Sequence, residues 1–318
     1  MIELHDLFGP ALADSPDPAA EFVAGPWDFY ERHFLEPSDG LLEDYWKAYG
    51  DGQALRAVVE SPRGFSVAAA IQRYRDLPEG TVARAAATAV AILGGPLREI
   101  GGTRPVEVWL VPGLFTANAI ATALRGRTRV FICLEQNQGQ DDLCIALTHE
   151  LSHVALAASG EGGKAGGQTV GRLTYSEGLA VVSSMAALTS LRGGSPVGDA
   201  DLAAAMWYPP DVLDWCRRNE ARLWRIALPL LTSANGDDLR ALFFKPVSGF
   251  WREDGTPYRA GYYLGHAAVA AALGRGLTLA EAHRRDEAAM LEALRERARR
   301  HLPEAPQAEG PPRESPSP

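Results

Sequence analysis

Residues 141–158 read DDLCIALTHELSHVALAA, and the rest of the chain takes its meaning from them. Two acids open the stretch, where they suit the positive end of a helix dipole. The apolar run that follows admits Thr148, His149, Glu150, Ser152 and His153, and a helix this apolar belongs in a core. His149 and His153 are four residues apart, so one helical turn stacks both imidazoles on one face within reach of a single metal ion, with Glu150 beside them. Unpartnered imidazoles and a carboxylate would be costly among apolar side chains, and a metal removes that cost for the histidines. The spacing predicts His149 and His153 as metal ligands and Glu150 as the base acting on a water.

A catalytic zinc commonly takes three protein ligands and keeps a fourth position open. The arrangement in which a third histidine follows on the same segment fails, because Leu156 and Ser159 stand where its Gly and His would be. The third ligand must come from elsewhere. A second helix is expected over Ser176 to Leu191, and within TYSEGLAVVSSMAAL (174–188) Glu177 is the only acid, followed by Gly178, which would let this helix approach the first closely. Glu177 is therefore expected as the third ligand, with one Zn2+ per chain as cofactor.

An HExxH helix followed by a glutamate on the next helix resembles the gluzincin metallopeptidases. EGLA at 177–180 is similar to a segment of uncharacterised families of predicted zinc-dependent proteases. The resemblance spans residues 106–273 and implies a zincin-like catalytic domain that hydrolyses peptide or protein substrates with a metal-activated water. It also implies an edge strand along the substrate cleft, a place that falls to Arg129–Cys133, just ahead of the HExxH helix. Many gluzincins carry an acid four residues after the glutamate to support a zinc-bound histidine. Here that position is Val181, so the support must come from another group. By the same resemblance, TPYRAGYYLGHAAVAAAL (256–273) offers Tyr258 as the donor to the oxyanion formed when water attacks a carbonyl. Tyr262, Tyr263 and His266 are rivals for oxyanion or substrate contacts. The aminopeptidase signature GxMEN is missing from PGLFTAN (112–118), which points to an endopeptidase or an unusual exopeptidase.

Around this centre the chain reads as α+β and mostly helical, with a small sheet. VEVWLVP (106–112) and RVFICLE (129–135) are short β-branched and aromatic runs bounded by turn residues. Helices are expected over 211–231, 262–273 and 278–301, the last opened by Thr278 and Glu281 in capping-box register. Residues 26–100 form a helical N-terminal region in which Trp27, Tyr30, Phe34, Leu41 and Tyr45 make a buried stripe broken near Pro37 and Gly40. By the resemblance, residues 101–302 are then expected to form the zincin-like catalytic domain. Residues 1–25, rich in Pro, Asp and Ala, are expected to be flexible, and 303–318 (PEAPQAEGPPRESPSP) to be disordered. The Gly-rich stretch 160–171 fits neither a dinucleotide nor a phosphate loop and is expected to be a mobile connection able to act as a lid.

Composition sets the outer bounds. The 318 residues carry 31 basic and 40 acidic side chains, a net charge of −9, so nucleic acid is not an expected partner. Cys133, Cys144 and Cys216 form neither a CxxC pair nor an even framework, which fits a reducing, cytoplasmic compartment. The most apolar window, Thr81–Gly94, carries Arg84 and is shorter than the roughly 20 residues of a membrane span, so no membrane association is expected. Two readings compete with the peptidase: a metal-binding or interaction protein that keeps the zincin fold without turnover, and a helical protein with no metal. Retention of Glu150 favours catalysis.

Overall fold

The computed structural model describes residues 2–100, 105–137, 139–158, 168–244 and 249–302. Strand β1 (Ile2–Asp6) opens the chain, and seven helices follow: α1 (Phe8–Asp14), α2 (Pro18–Ala24), α3 (Pro26–Tyr30), α4 (Leu41–Tyr49), α5 (Leu55–Val59), α6 (Phe65–Asp76) and α7 (Thr81–Ile100). Then come β2 (Val106–Val111), β3 (Ala119–Leu124) and β4 (Arg127–Cys133), the long helices α8 (Gln140–Ala158) and α9 (Val170–Leu191), and α10 (Asp199–Ala205), α11 (Pro210–Arg218), α12 (Glu220–Ala227) and α13 (Gly236–Phe243). Helices α14 (Ala260–Leu273), α15 (Leu279–Ala282) and α16 (Glu287–Arg299) complete the described chain. The protein is α+β and mostly helical.

The four strands lie in the order β1-β2-β4-β3, with β1, β2 and β4 parallel and β3 antiparallel to β4. β2 and β4 are the two expected strands. The edge position expected for Arg129–Cys133 is not where that strand lies: β4 is interior, and the edge belongs to β3. Its sequence, AIATAL, lacks the β-branched and aromatic density that marks the other two, and it is held by its hairpin with β4 through the Arg125–Gly126 turn, where both residues have positive φ.

The segment expected to be flexible, residues 1–25, carries β1, α1 and α2. Ile2–Asp6 pairs in register with Val106–Leu110, Asp6 Oδ1 accepts the Phe8 and Gly9 N–H groups, and Phe8 and Phe22 are buried. Nor does a core boundary fall at residue 100. The side chains of α1–α7 form one apolar cluster with the sheet and with Leu143, Cys144, Leu147 and Leu151 of α8. A second cluster joins Ile145 and Leu156 of α8 to α9 through α16. Helix α8 is thus the wall between two cores, which explains why its sequence has no polar stripe.

Two expected long helices are each broken in two. Asn219 separates α11 from α12. The capping box of Thr278 and Glu281 forms, but it opens only α15, and Asp286 caps α16 afresh by accepting the Ala289 N–H at 2.8 Å. Helix α9 starts six residues before the expected Ser176, because Thr169 caps it through the Arg172 N–H. Residues 303–318 and most of the 160–171 stretch lie outside the described residues. Among those described, no single helix is long and apolar enough to cross a membrane; the bent pair Pro62–Asp76 and Thr81–Arg98 meets that test only jointly, across an 83° bend. The three cysteines are free and buried.

Gly178 does permit a close approach, but to α14 rather than to α8. A Cβ there would meet the Gly265 carbonyl carbon at 2.0 Å, and one on Gly265 would meet the Thr174 carbonyl oxygen at 1.8 Å. Helices α9 and α14 therefore touch backbone to backbone. Gly178→Ala and Gly265→Ala should each cost about 3 kcal/mol or more in urea unfolding, because the packed helices must separate. Gly94→Ala in α7, where a Cβ meets nothing within 4 Å, should instead stabilise by roughly 0.5–1 kcal/mol through helix propensity.

Candidate metal centre

Helix α8 presents His149, Glu150 and His153 to a cleft of about 700 Å³ at the junction of the two cores, and α9 presents Ser176 and Glu177 from the other side. His149 Nε2 lies 3.1 Å and His153 Nε2 3.6 Å from Glu177 Oε2. One donor atom from each of the three residues lies within 4.8 Å of the other two. Two imidazoles and one carboxylate form a donor set suited to zinc and to other first-row divalent metals, so the expected ligand trio is brought together and could hold a metal ion.

Burial opposes the charge on His153, but the Glu177 carboxylate outweighs it and pushes the imidazole up to about 9. Burial likewise opposes the charge on Glu177, yet the two histidines hold its carboxyl far below the usual range. The support that Val181 does not supply comes from Ser176, whose Oγ lies 2.8 Å from His153 Nδ1 and leaves Nε2 facing Glu177. The other imidazole has no such partner among the described residues, as His149 Nδ1 is buried without a hydrogen bond. Glu150 accepts the Ala121 N–H at 2.7 Å on β3. In the antiparallel alternation Ala119, Ala121 and Ala123 turn their N–H and C=O groups away from β4, consistent with the Cys133 N–H donating to Asn118 O. Strand β3 therefore offers an open main-chain edge along the cleft.

Of the expected oxyanion and substrate contacts, the structure brings in Tyr262 and leaves Tyr258, Tyr263 and His266 out of the cleft lining. Tyr258 is held by its own N–H, which donates to Phe250 O. Tyr263 points into the second core, its hydroxyl donating to Glu220 at 2.9 Å. His266 is driven down to about 4 by burial and by Arg217 and Arg297. Tyr262, one turn beyond Tyr258, lies nearly parallel to the His149 ring with centroids 6.2 Å apart. Burial and the nearby Glu177 raise its phenol, so it remains a protonated donor.

The same wall holds two residues that sequence reasoning passed over, Trp207 and Arg259. The Trp207 ring meets His149 edge-on at 4.8 Å, and the Arg259 guanidinium lies over Trp207 and Tyr262. Both residues have left-handed backbone, φ 53° and 66°, at a cost of about 1–3 kcal/mol each. The Tyr208 hydroxyl joins the two positions by donating to Arg259 O at 2.5 Å. On the opposite wall Leu114 and Phe115 are also left-handed, and the buried Glu135 carboxylate accepts the Gly113 and Phe115 N–H groups. A periodicity reading has no signal for such positions, since none of these residues is glycine.

Comparison with protein-family models, with curated proteins and with solved structures finds no match.

Two expectations follow. Metal analysis of the purified protein should find about one ion per chain, lost in His149→Ala, His153→Ala or Glu177→Ala. Ser176→Ala should keep the ion with affinity lowered by about tenfold, the usual effect of losing a group that orients a ligand. The second concerns His283, fully buried behind the centre, with Nδ1 donating to Leu279 O at 2.8 Å and Nε2 taking the Ser152 hydroxyl at 2.9 Å. Burial lowers it to about 4, whereas the unfolded imidazole titrates near 6.5. Between those values the unfolded chain binds a proton that the folded chain does not, so stability is lost as pH falls through that window. His283→Gln should lose about 2 kcal/mol less than the parent between pH 7 and pH 5 in urea unfolding.

Proposed function

We propose that the protein is a zinc-dependent peptidase with a zincin-like catalytic centre, in which His149, His153 and Glu177 hold the metal and Glu150 is the base. The observation that carries this reading is the convergence of those three ligands with Glu150 beside the open edge of β3. Zinc bound by such a set lowers the pKa of a water and polarises a carbonyl. An extended peptide lies along β3, pairing with the outward main-chain groups of Ala119 and Ala123 and with the Ala121 carbonyl, the Ala121 N–H being taken by Glu150. Glu150 takes the proton of the attacking water and passes it to the leaving amine. Tyr262, whose phenol stays protonated, donates to the oxyanion that develops on the substrate carbonyl.

The Glu150–Ala121 hydrogen bond also favours a second reading, a metal-binding or interaction protein without turnover in which this carboxylate only ties α8 to the sheet. Glu150→Gln separates the two, because the amide oxygen still accepts the Ala121 N–H while the base is gone. The variant should keep its metal and its stability and lose cleavage of a peptide mixture by several powers of ten. Wild-type protein that holds zinc and cleaves nothing, with or without chelator, would leave the second reading standing. Tyr262→Phe should lower kcat about 10²- to 10³-fold with little change in KM, while Tyr258→Phe should leave both near the wild-type values.

A further inference from the structure

Arg259 has no role in the chemistry above, and its surroundings give it one. The guanidinium lines the cleft, with its Cζ 4.3 Å from the Tyr262 ring centroid and 5.2 Å from that of Trp207. Both rings also pack on His149, so the cation stands one aromatic ring away from a metal ligand. The two legs of that route bound the separation at about three residues of extended peptide, at roughly 3.3 Å each. The acids nearest the centre are engaged elsewhere: Glu177 faces the two histidines and Glu150 the Ala121 N–H. Among the described residues Arg259 makes no ion pair, and its Nε is buried without a hydrogen-bond partner. Ring faces attract the charge and the Tyr262 phenol engages part of the guanidinium, but Nε keeps a donor with no acceptor. The backbone is fixed as well, held in the left-handed region with Tyr208 clamping the Arg259 carbonyl.

A fixed guanidinium with unfilled donors matches a carboxylate, which it binds through two parallel N–H···O bonds. We propose that Arg259 anchors a carboxylate of the substrate, placed within about three residues of the bond that is cut. The peptide nature of that substrate rests on the peptidase reading; the preference for an anion does not. The carboxylate comes either from the free C-terminus, making the protein an exopeptidase at that end, or from an acidic side chain, making it an endopeptidase selective for acidic residues.

The test measures binding without turnover. The zinc-loaded Glu150→Gln protein is titrated in a calorimeter with acetyl-Phe-Leu as the free acid, with the same peptide as its amide, and with acetyl-Phe-Asp amide. The phenylalanine suits Phe243 and Phe244 in the cleft lining. The free acid, or the aspartyl amide, should bind at least tenfold more tightly than the neutral amide, and which of them does so identifies the source of the carboxylate. Adding Arg259→Asn should bring all three within about twofold. Asparagine is chosen because it tolerates left-handed backbone better than most residues, and because the ratio is taken within one variant, a general loss of affinity cancels. Arg259→Lys, which keeps the charge without the fork, should retain a smaller preference. Equal affinity for all three peptides in the parent overturns the proposal, as does a preference that survives Arg259→Asn. Failure of the peptidase reading is seen separately, as absence of cleavage by the wild-type protein with its metal bound.

Discussion

A helix buried on every side has no face on which to leave a polar group in water, and α8 is such a helix. Its polar side chains must therefore find partners inside the protein, and all but Thr148 Oγ1 and His149 Nδ1 of its buried polar atoms do so among the described residues. Ser152 finds His283 and Ser183, His153 finds Ser176 and Glu177, His149 finds Glu177, and Glu150 finds the edge of β3. Most of these partners sit on α9, whose Ser184 also donates to the Ile145 carbonyl of α8. The α8–α9 contact is thus laced with polar groups inside apolar surroundings, where each bond is strengthened by the low local dielectric and each missing partner is costly. The arrangement fixes the two helices in rotation as well as in separation.

The second constraint comes from α14. Because Gly178 and Gly265 bring backbones into contact, α14 packs directly on the α9 main chain, and Gly178 is the neighbour of Glu177. The same contact sets how far Tyr262, one turn before His266, stands from the carboxylate. A side chain at either glycine would move the aromatic wall of the cleft away from the ligands, so the packing of the second core and the geometry of the centre are not separable.

What could be read from the sequence was what repeats with the period of a helix or changes residue type sharply. His149, Glu150 and His153 declare themselves by spacing, and Glu177 by being the only acid in an apolar helix. Strand β3 has neither mark: alanines at 119, 121 and 123 fit a strand only because β4 and a two-residue turn hold them there. β1 was hidden by its position beside a segment whose composition suggests flexibility, although its pairing with β2 is made by main-chain groups that composition does not register. Ser176 stands next to Glu177, but the expected helix begins at that serine, and only the true start at Val170 places it inside the helix facing His153. Tyr258 and Tyr262 differ by one turn, and the choice between them depends on where α14 begins.

The backbone at the rim of the cleft follows a different logic from the backbone elsewhere. Among the described residues, six that are not glycine have positive φ. Arg125 has a reason in its own turn, which must match the twist of the β3–β4 hairpin, and Asp39 has one in the break before α4, beside the left-handed Gly40. The other four, Leu114, Phe115, Trp207 and Arg259, sit in neither setting, and three of them line the cleft. Each pair is clamped by one buried polar group, the Glu135 carboxylate on one wall and the Tyr208 hydroxyl on the other. Such clamps offset strain that would otherwise relax by turning the side chain away. The conformations kept in this way are the ones that hold Phe115, Trp207 and Arg259 at the cleft, so stability is spent where the chain contributes to the site's shape and charge rather than to its core.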